Sequence, residues 1–399
     1  WVDSRDGDRN PYFNAKSDET GLWLHLDDLR LNPGEVGNLA SSVKICSSAD
    51  GRYIHVVWAD AQPEYEAIHY TTSSDYGRTF LAAPLCLSPG WPFPWEGSEP
   101  VVCCSRNGSK IFVAWRHGNT DIAFRYSTDY GATWSTTDDP GQFFANTDPK
   151  GYLFAGGPSI DCSDNGDYCH LGWIDFRNIG TENFYPFHRC FDSVSGSWKT
   201  TEDHCLSTNR AYSMVIKCTA SGQDVHAAWL FFDKGMIHDS SANYGDTWGA
   251  DEEVSEFPSP YDYAGAMTCD RSNGNICIVW DRRIDNPNAQ WAVMARAKKA
   301  GAWGWEVRLS PFSSKSEKSL NLLPSVCSYG SNVYVVWADY RQMPNETIYY
   351  HYSIDGGGTW TGYGTQLNSP GGQASFKIDS PVVATNSSGC RCWARSWYS

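Results

Sequence analysis

The sequence predicts an all-β protein built from one repeated unit of four strands. The main observation is a run of β-branched and small apolar residues that ends in tryptophan and recurs along the whole chain. These tryptophans are Trp58, Trp115, Trp173, Trp229, Trp280, Trp337 and Trp393, with successive spacings of 57, 58, 56, 51, 57 and 56 residues. The composition agrees, because 36 Gly, 20 Pro and 15% aromatic residues favour short strands and tight turns over a helical bundle.

A turn of fixed composition follows the third strand of several units. Its pattern, Ser-x-Asp-x-Gly-x-Thr-aromatic, starts at Ser73, Ser127 and Ser353, and again at Ser241 with Asn in place of Asp. In such a turn the Asp accepts backbone N–H bonds, the Gly adopts a positive φ and the aromatic ring packs between sheets. The pattern therefore predicts a hairpin turn between the third and fourth strands of the unit.

This motif resembles the Asp box of the sialidase-like (BNR repeat) β-propeller superfamily, and the resemblance covers essentially the whole chain. It implies a propeller fold in which the Asp boxes are structural turns on the face away from the active sites. True sialidases have six blades and an Arg-Ile-Pro motif, which is absent from this sequence. The chain is therefore more similar to the seven-bladed members that process polysaccharides, which include lyases and rhamnosidases.

The number of repeats predicts a seven-bladed β-propeller of four-stranded blades, formed by residues 1–399 as one domain. Seven pairs of first and second strands begin near Ser42, Pro100, Pro158, Tyr212, Ala264, Pro324 and Pro381. Residues 33–380 would form six full blades. Residues 1–32 would supply the outer strands of the closing blade and residues 381–399 its inner strands, so that no sheet edge stays exposed.

The N-terminal segment complicates this closure, because Trp1–Arg5 resembles Trp337–Arg341 and duplicates the role of Trp393. We expect Trp1 to lie beside the closing blade. A chain cut from a longer array and an exchange of termini between molecules are the alternatives.

Cysteine content and the N-terminus predict a secreted or extracellular protein. Fourteen Cys are more than a reduced cytosolic enzyme usually carries, and the chain opens on Trp1 rather than Met, as expected of a mature product or of a chain cut there. The sequons at Asn107, Asn345 and Asn386 are glycosylation candidates.

Two cysteine pairs bracket short turns and are disulfide candidates, namely Cys162 with Cys169 and Cys269 with Cys277. Four others recur at one first-strand position and are expected to be buried thiols: Cys46, Cys104, Cys218 and Cys327.

Charge and motif content exclude several classes of function. With 31 Lys and Arg against 46 Asp and Glu, the net charge of −15 disfavours duplex nucleic acid and anionic membranes as partners, and no apolar run is long enough for membrane insertion. No Gly-rich phosphate loop opens a helix, and no Cys-x-x-Cys zinc pattern or EF-hand spacing occurs. The sequence thus indicates no cofactor and no metal, with Ca²⁺ left open by the acidity.

Candidate site residues lie after the tryptophan strands, on the face opposite the Ser-x-Asp-x-Gly turns. His117 breaks the repeat where other units carry Asp and could act as general acid or base. The candidate catalytic residues are His117, Tyr185, Arg177 and Arg283. His188, on the same third strand as Tyr185, could approach from the side with it. Candidate substrate-binding residues are Asp60, Arg116, Asp175, Asp281, Asp339, Arg341 and Arg395, with the aromatic residues Trp91, Trp95 and Tyr261. Aromatic platforms with Arg and carboxylate groups suit a carbohydrate. In the alternative, Asp175 with Arg177 and Asp339 with Arg341 are structural ion pairs.

These residues favour an extracellular polysaccharide-processing enzyme, either a glycoside hydrolase or a uronate lyase. A lyase needs an Arg-type group to neutralise the uronate and a His or Tyr to move the α-proton. A noncatalytic lectin, or a self-assembling subunit of a surface layer, sheath or filament, is the alternative. A lectin would repeat one site across its blades, whereas an enzyme would have one asymmetric cluster.

Overall fold

The structure is a computed structural model, and it is all-β as predicted. It describes residues 2–3, 7–15, 22–33, 39–62, 65–88, 97–118, 120–136, 144–147, 155–176, 183–231, 234–256, 262–286, 288–311, 324–339, 347–360, 362–367, 376–386 and 389–398. None of these residues is helical, and accordingly none belongs to a helix suited to crossing a membrane. The chain divides into two compact units, Trp1–Cys205 and Leu206–Ser399, which are described separately.

In its described residues the N-terminal unit has four antiparallel sheets, each a meander of strands adjacent in sequence. The first holds β1 (Val2–Asp3), β2 (Asn10–Phe13) and β3 (Leu29–Arg30), and the second β4 (Leu39–Ser47), β5 (Ile54–Gln62), β6 (Tyr65–Ser73) and β7 (Leu85–Cys86). The third holds β8 (Ser98–Cys104), β9 (Ile111–His117) and β10 (Asp121–Ser127). The fourth holds β11 (Ala155–Cys162), β12 (Tyr168–Asp175), β13 (Tyr185–Asp192) and β14 (Ser197–Trp198), with β15 (His204–Cys205) also pairing with β13.

The described part of the C-terminal unit repeats this arrangement. Its first sheet is β16 (Ala211–Cys218), β17 (Val225–Phe231), β18 (Gly235–Ser241) and β19 (Glu252–Glu253). The next is β20 (Asp262–Cys269), β21 (Ile276–Asn286), β22 (Asn288–Lys299) and β23 (Ala302–Trp303), with β24 (Val307–Arg308) on β22. Then follow β25 (Ser325–Tyr329), β26 (Asn332–Asp339), β27 (Thr347–Ser353) and β28 (Thr365–Gln366), and finally β29 (Phe376–Asn386) paired with β30 (Gly389–Tyr398).

The repeated tryptophans are the largest buried side chains of the described core. Six of them, Trp58, Trp115, Trp173, Trp229, Trp280 and Trp337, are 0% exposed. Each lies on the second strand of its sheet, and Trp115 packs with Val57 and Ile68 of the preceding sheet. Burying side chains of this size contributes about 2–3 kcal/mol each. The tryptophans that recur along the sequence are therefore the core residues that recur from sheet to sheet. Trp1 lies outside the described residues.

The polar groups of the Ser-x-Asp-x-Gly turns hydrogen-bond within the turns themselves. In the turn after β10, the Ser127 hydroxyl donates to Asp129 (2.8 Å) and accepts the Gly131 N–H (3.0 Å). The Asp129 carboxylate accepts the backbone N–H of Thr133 at 2.8 Å, and the side chain and backbone of Thr133 lower the pKa of Asp129. The turns that start at Ser73, Ser241 and Ser353 contain the same bonds. These carboxyl and amide groups are therefore structural.

Neither of the two predicted disulfides is present in the structure. Cys162 and Cys169 do lie directly opposite each other on β11 and β12. The pairing of Cys269 with Cys277 was wrong for a geometric reason. Cys269 is opposite Ile276, so Cys277 is shifted by one residue and its side chain lies on the other face of the sheet.

The first strands of three successive sheets share an irregularity that shapes the nearby surface. The pairing shifts by one residue at Ser41/Lys44, Ser98/Val101 and Gly156/Ser159, as in a β-bulge. Ser42, Glu99 and Gly157, one at each bulge, have φ angles of 51°, 54° and 58°. Each bulge therefore turns the start of its first strand away from regular pleating, close to the end of the tryptophan strand.

Candidate functional site

The end of β9 carries two candidate residues, which lie on opposite faces of their sheet. Val113 and Trp115 pack in the cluster shared with the β4–β7 sheet. Because side chains alternate along a strand, His117 lies on that same face and Arg116 lies on the opposite face. One strand end therefore presents a cation on one side and an imidazole on the other.

Arg116 is held in place by the start of β8. Its Nε donates to the Ser98 hydroxyl at 2.8 Å, and one terminal nitrogen lies 3.5 Å from Glu99 Oε1. The other oxygen of Glu99 accepts the backbone N–H of Gly157, on β11, at 2.8 Å. The side chains of Arg116 and Glu99 are 23% and 41% exposed, so both charges reach solvent. Glu99 thus links two neighbouring sheets and orients the guanidinium.

Glu99 was missed at the sequence level, although its neighbours contain a signal. With φ at 54° it has a left-handed backbone conformation, which costs a non-glycine residue about 1–3 kcal/mol. The matching position in the next sheet is Gly157, and both residues precede a proline. Glu99 is thus a charged residue at a position where the next repeat has glycine. That difference between repeats is the signal in the sequence that could have identified Glu99.

Lys44 is a second residue that sequence reasoning missed. It lies on β4 beside the bulge, opposite Val57, and its side chain is exposed. Surrounding protein lowers the pKa of Lys44, while the negative charge of Glu99 partly offsets that effect. Lys44 thus places a second cation close enough to Glu99 to be influenced by its charge.

His117 contacts an aromatic ring and keeps part of its surface exposed. Its imidazole lies 5.4 Å from the ring of Phe144, with 57° between the ring planes. Phe144 is fixed by a bridge to Ala123 on β10. Asp121 is opposite His117 in the register, and its carboxylate accepts bonds from Thr120 (2.9 Å) and Asn146 (3.3 Å). The imidazole is thus positioned by packing at an accessible strand end.

Three of the predicted carboxylate ligands, Asp60, Asp175 and Asp281, are buried in the structure. Asp60 is 0% exposed and accepts the backbone N–H of Leu39 at 3.1 Å. Asp175 is 2% exposed and accepts the indole N–H of Trp173 at 3.2 Å, and Asp281 is 0% exposed. A buried carboxylate that accepts structural hydrogen bonds stabilises its strand end and cannot meet a polysaccharide.

Two other candidates lie in the interior of the N-terminal unit. Tyr185 is 1% exposed and belongs to an apolar cluster with Ile122 and Ala145, so direct contact with substrate is excluded in this conformation. His188, considered with it because both lie on the third strand, is buried and hydrogen-bonded to His170 at 3.2 Å. Burial holds the pKa of His188 well below its usual value.

In the C-terminal unit, the candidate Arg283 lies next to a buried ion cluster. Arg283 is half-buried on β21, opposite Trp291. Its neighbour Arg282 binds both oxygens of Asp262, at 2.7 and 3.0 Å, and one oxygen of Glu306. These three groups are structural partners of one another.

The remaining candidates cannot be placed. Arg177, Trp91, Trp95, Tyr261, Arg341 and Asn345 lie outside the described residues. Asp339, Arg395 and Asn386 lie on β26, β30 and β29, with side chains outside the described set. Asn107 is exposed in the turn after β8 and accepts a bond from the Ser109 hydroxyl at 2.8 Å. Within the described residues, no group of three or more His, Cys, Asp or Glu side chains is arranged to hold a metal.

Antiparallel meanders of this kind, with buried Trp strands and Ser-x-Asp-x-Gly turns, are typical of the blades of a β-propeller. Among solved structures, the polysaccharide lyase Uly1 aligns with a TM-score of 0.56 and 12% identity, over 97% of this chain and 94% of that one. An ulvan lyase of family PL25, bound to a glucuronate and 3-sulfated rhamnose unit, aligns with a TM-score of 0.48 and 14% identity, over 94% of this chain and 80% of the lyase. The leech intramolecular trans-sialidase aligns with a TM-score of 0.48 and 14% identity, over 96% of this chain and 70% of that one.

At these identities the likeness is one of fold. No protein-family model matches the sequence, and no curated protein matches it. The predicted resemblance to the sialidase-like propellers, closer to polysaccharide-processing members, is confirmed as a likeness of fold to the polysaccharide lyase Uly1.

Proposed function

We propose that this protein is an extracellular enzyme that cleaves an anionic polysaccharide by β-elimination. Its site would lie on the face opposite the Ser-x-Asp-x-Gly turns, in a propeller of seven blades. The observation that supports this most directly is the group beside the bulges of β4 and β8 and at the end of β9: Lys44, Glu99, Arg116 and His117. It combines two cations with the half-buried imidazole of His117 in one unit of the chain, with Arg116 and His117 on the two faces of the β9 end.

These groups match the needs of uronate elimination. Neutralising the uronate carboxylate makes the α-proton at C5 acidic enough to remove, and Arg116, oriented by Glu99, is the candidate for that role. His117 would accept the C5 proton, the C4–O bond would break, and a C4=C5 double bond would form. The departing oxygen then needs a proton, for which the Lys44 ammonium is the candidate acid.

The same structure disfavours a hydrolase based on the predicted carboxylates. A glycoside hydrolase uses two accessible carboxyl groups that flank the scissile bond. Asp60 and Asp175 are buried and hydrogen-bonded to their own sheets. Glu99 is shared between Arg116 and the Gly157 N–H.

The test is a panel of uronate-containing and neutral polysaccharides, followed by ultraviolet absorbance of the new double bond and by reducing ends. We expect absorbance with uronate polymers, at least about 100-fold slower in His117→Ala and in Arg116→Ala, since general bases and charge-stabilising groups contribute on this scale. Arg106→Ala is the matched control, because Arg106 is an exposed arginine at the far end of the same sheet. Reducing ends without absorbance, or binding without turnover as in a lectin, would contradict the proposal.

A further inference from the structure

The N-terminal unit carries two adjacent cysteines whose side chains lie on opposite faces of one strand. Cys103 and Cys104 are consecutive on β8. Cys104 packs in the cluster shared with the β4–β7 sheet, and Cys103 packs in the cluster shared with β11 and β12. The alternation of a strand thus directs one thiol toward each neighbouring sheet.

Each thiol meets a cysteine of the sheet that it faces. Cys46 lies two residues after Lys44 and so on the face of β4 that Lys44 shares with Val57, toward Cys104, while Cys103 and Cys162 pack in one cluster. Burial and then the neighbouring thiol of Cys104 raise the pKa of Cys46, and the neighbouring thiol of Cys103 and then burial raise the pKa of Cys162. The two pairs are related by the repeat: Cys46 and Cys103 lie two residues before the serine that opens the hairpin turn, while Cys104 and Cys162 lie one residue before it. The same pair therefore occurs at two successive sheet interfaces.

Backbone contacts hold these interfaces close independently of the thiols. The turn after β4 donates to the turn after β8 through Ala49 N–H and Arg106 C=O at 2.8 Å. The turn after β8 also donates to the turn after β11, from the Arg106 N–H to the Asp164 C=O at 2.7 Å. These bonds lie two to three residues from the cysteines, so they fix the separation of the first strands where the thiols meet.

We propose that Cys46–Cys104 and Cys103–Cys162 are disulfide sites that join three successive sheets of the N-terminal unit. Each bond forms by two-electron oxidation: two thiols lose their protons and one S–S bond forms, while a small-molecule disulfide is reduced to two thiols. Cys103 and Cys162 are buried, so their bond forms as the chain folds rather than afterwards. This pairing replaces the hairpin disulfide between Cys162 and Cys169.

The test is peptide mapping of the full chain refolded with oxidised and reduced glutathione. Trypsin places Cys46 in peptide 45–52, both adjacent cysteines in 79–106, and Cys162 in 151–177. We expect these three peptides to be joined before reduction and separate after it. Cys104→Ser should release only 45–52, and Cys103→Ser should release only 151–177.

Cys327→Ser, at a half-buried first-strand position of the C-terminal unit, is the matched control and should leave the joined peptides unchanged. Recovery of 151–177 with an internal Cys162–Cys169 bond would overturn the second pair. Alkylation of Cys46 in the refolded protein, with Cys104 also modified, would overturn the first.

Discussion

Substituting Gly131 by alanine tests how the turn after β10 is packed against the preceding sheet. Gly131 has φ of 85°, and a Cβ atom there would overlap with the Tyr70 hydroxyl oxygen. That hydroxyl is hydrogen-bonded to His55 Nδ1 at 2.8 Å inside the core. Since Tyr70 is 0% exposed, it has no free space into which it could move.

The expected loss of stability has two parts. A left-handed conformation costs alanine about 1–2 kcal/mol. Displacing Tyr70 adds about 2–4 kcal/mol, from overpacking and from a buried hydrogen bond that is broken. Gly131→Ala should therefore destabilise by about 3–6 kcal/mol. Gly51→Ala, with φ of 75° and nothing within 4 Å of the added Cβ, should cost only the backbone part, about 1–2 kcal/mol.

The assay is urea unfolding of both variants, followed by tryptophan fluorescence. Tyr70→Phe removes the oxygen that the new Cβ would meet, so the cost of Gly131→Ala should be smaller in that background. Equal losses for Gly131→Ala and Gly51→Ala, or strict additivity with Tyr70→Phe, would refute the packing argument.

Three further expectations concern buried charges. Burial lowers the pKa of His226 to about 3, so the unfolded chain binds its proton first and stability should fall as pH drops from about 6.5 toward 3; His226→Gln should flatten that slope in urea unfolding against pH. Burial raises the pKa of Asp239 to about 6, so its contribution is full below about 4 and lost as pH rises through 6. Asp239→Asn should therefore stabilise at pH 8 and not at pH 4, and an equal effect at both would contradict the burial argument. Arg282→Met leaves Asp262 and Glu306 without their cation and should lower the free energy of unfolding by about 3–5 kcal/mol, measured by thermal unfolding. Adding Asp262→Asn to that variant should recover part of the lost stability, because it removes one unpaired charge.

The sequence predicted the features that depend on local patterning. Trp58 and Trp115 end apolar strands and are buried as the repeat required, and the Ser-x-Asp-x-Gly turns lie after third strands. Such features are visible because hydrophobic periodicity and turn chemistry act over a few residues.

The site was predicted less well, because it depends on pairing between strands. Lys44 and Glu99 come together only through bulges in two first strands, and a bulge leaves no obvious mark on the alternation of residues. Asp60 carries a carboxylate that could bind a sugar hydroxyl, but that carboxylate accepts a backbone hydrogen bond from its own sheet. Cys269 and Cys277 flank a turn symmetrically in sequence, yet a shift of one residue places them on opposite faces.

The hydrogen bonds between hairpin turns have a consequence for how such a chain can diverge. Ala49, Arg106 and Asp164 are joined through main-chain N–H and C=O groups, which every residue type except proline supplies in full. Drift in the side chains of these turns therefore leaves the seams between sheets intact. Many different sequences can therefore form the same contacts between sheets, provided that proline does not replace a residue whose N–H donates.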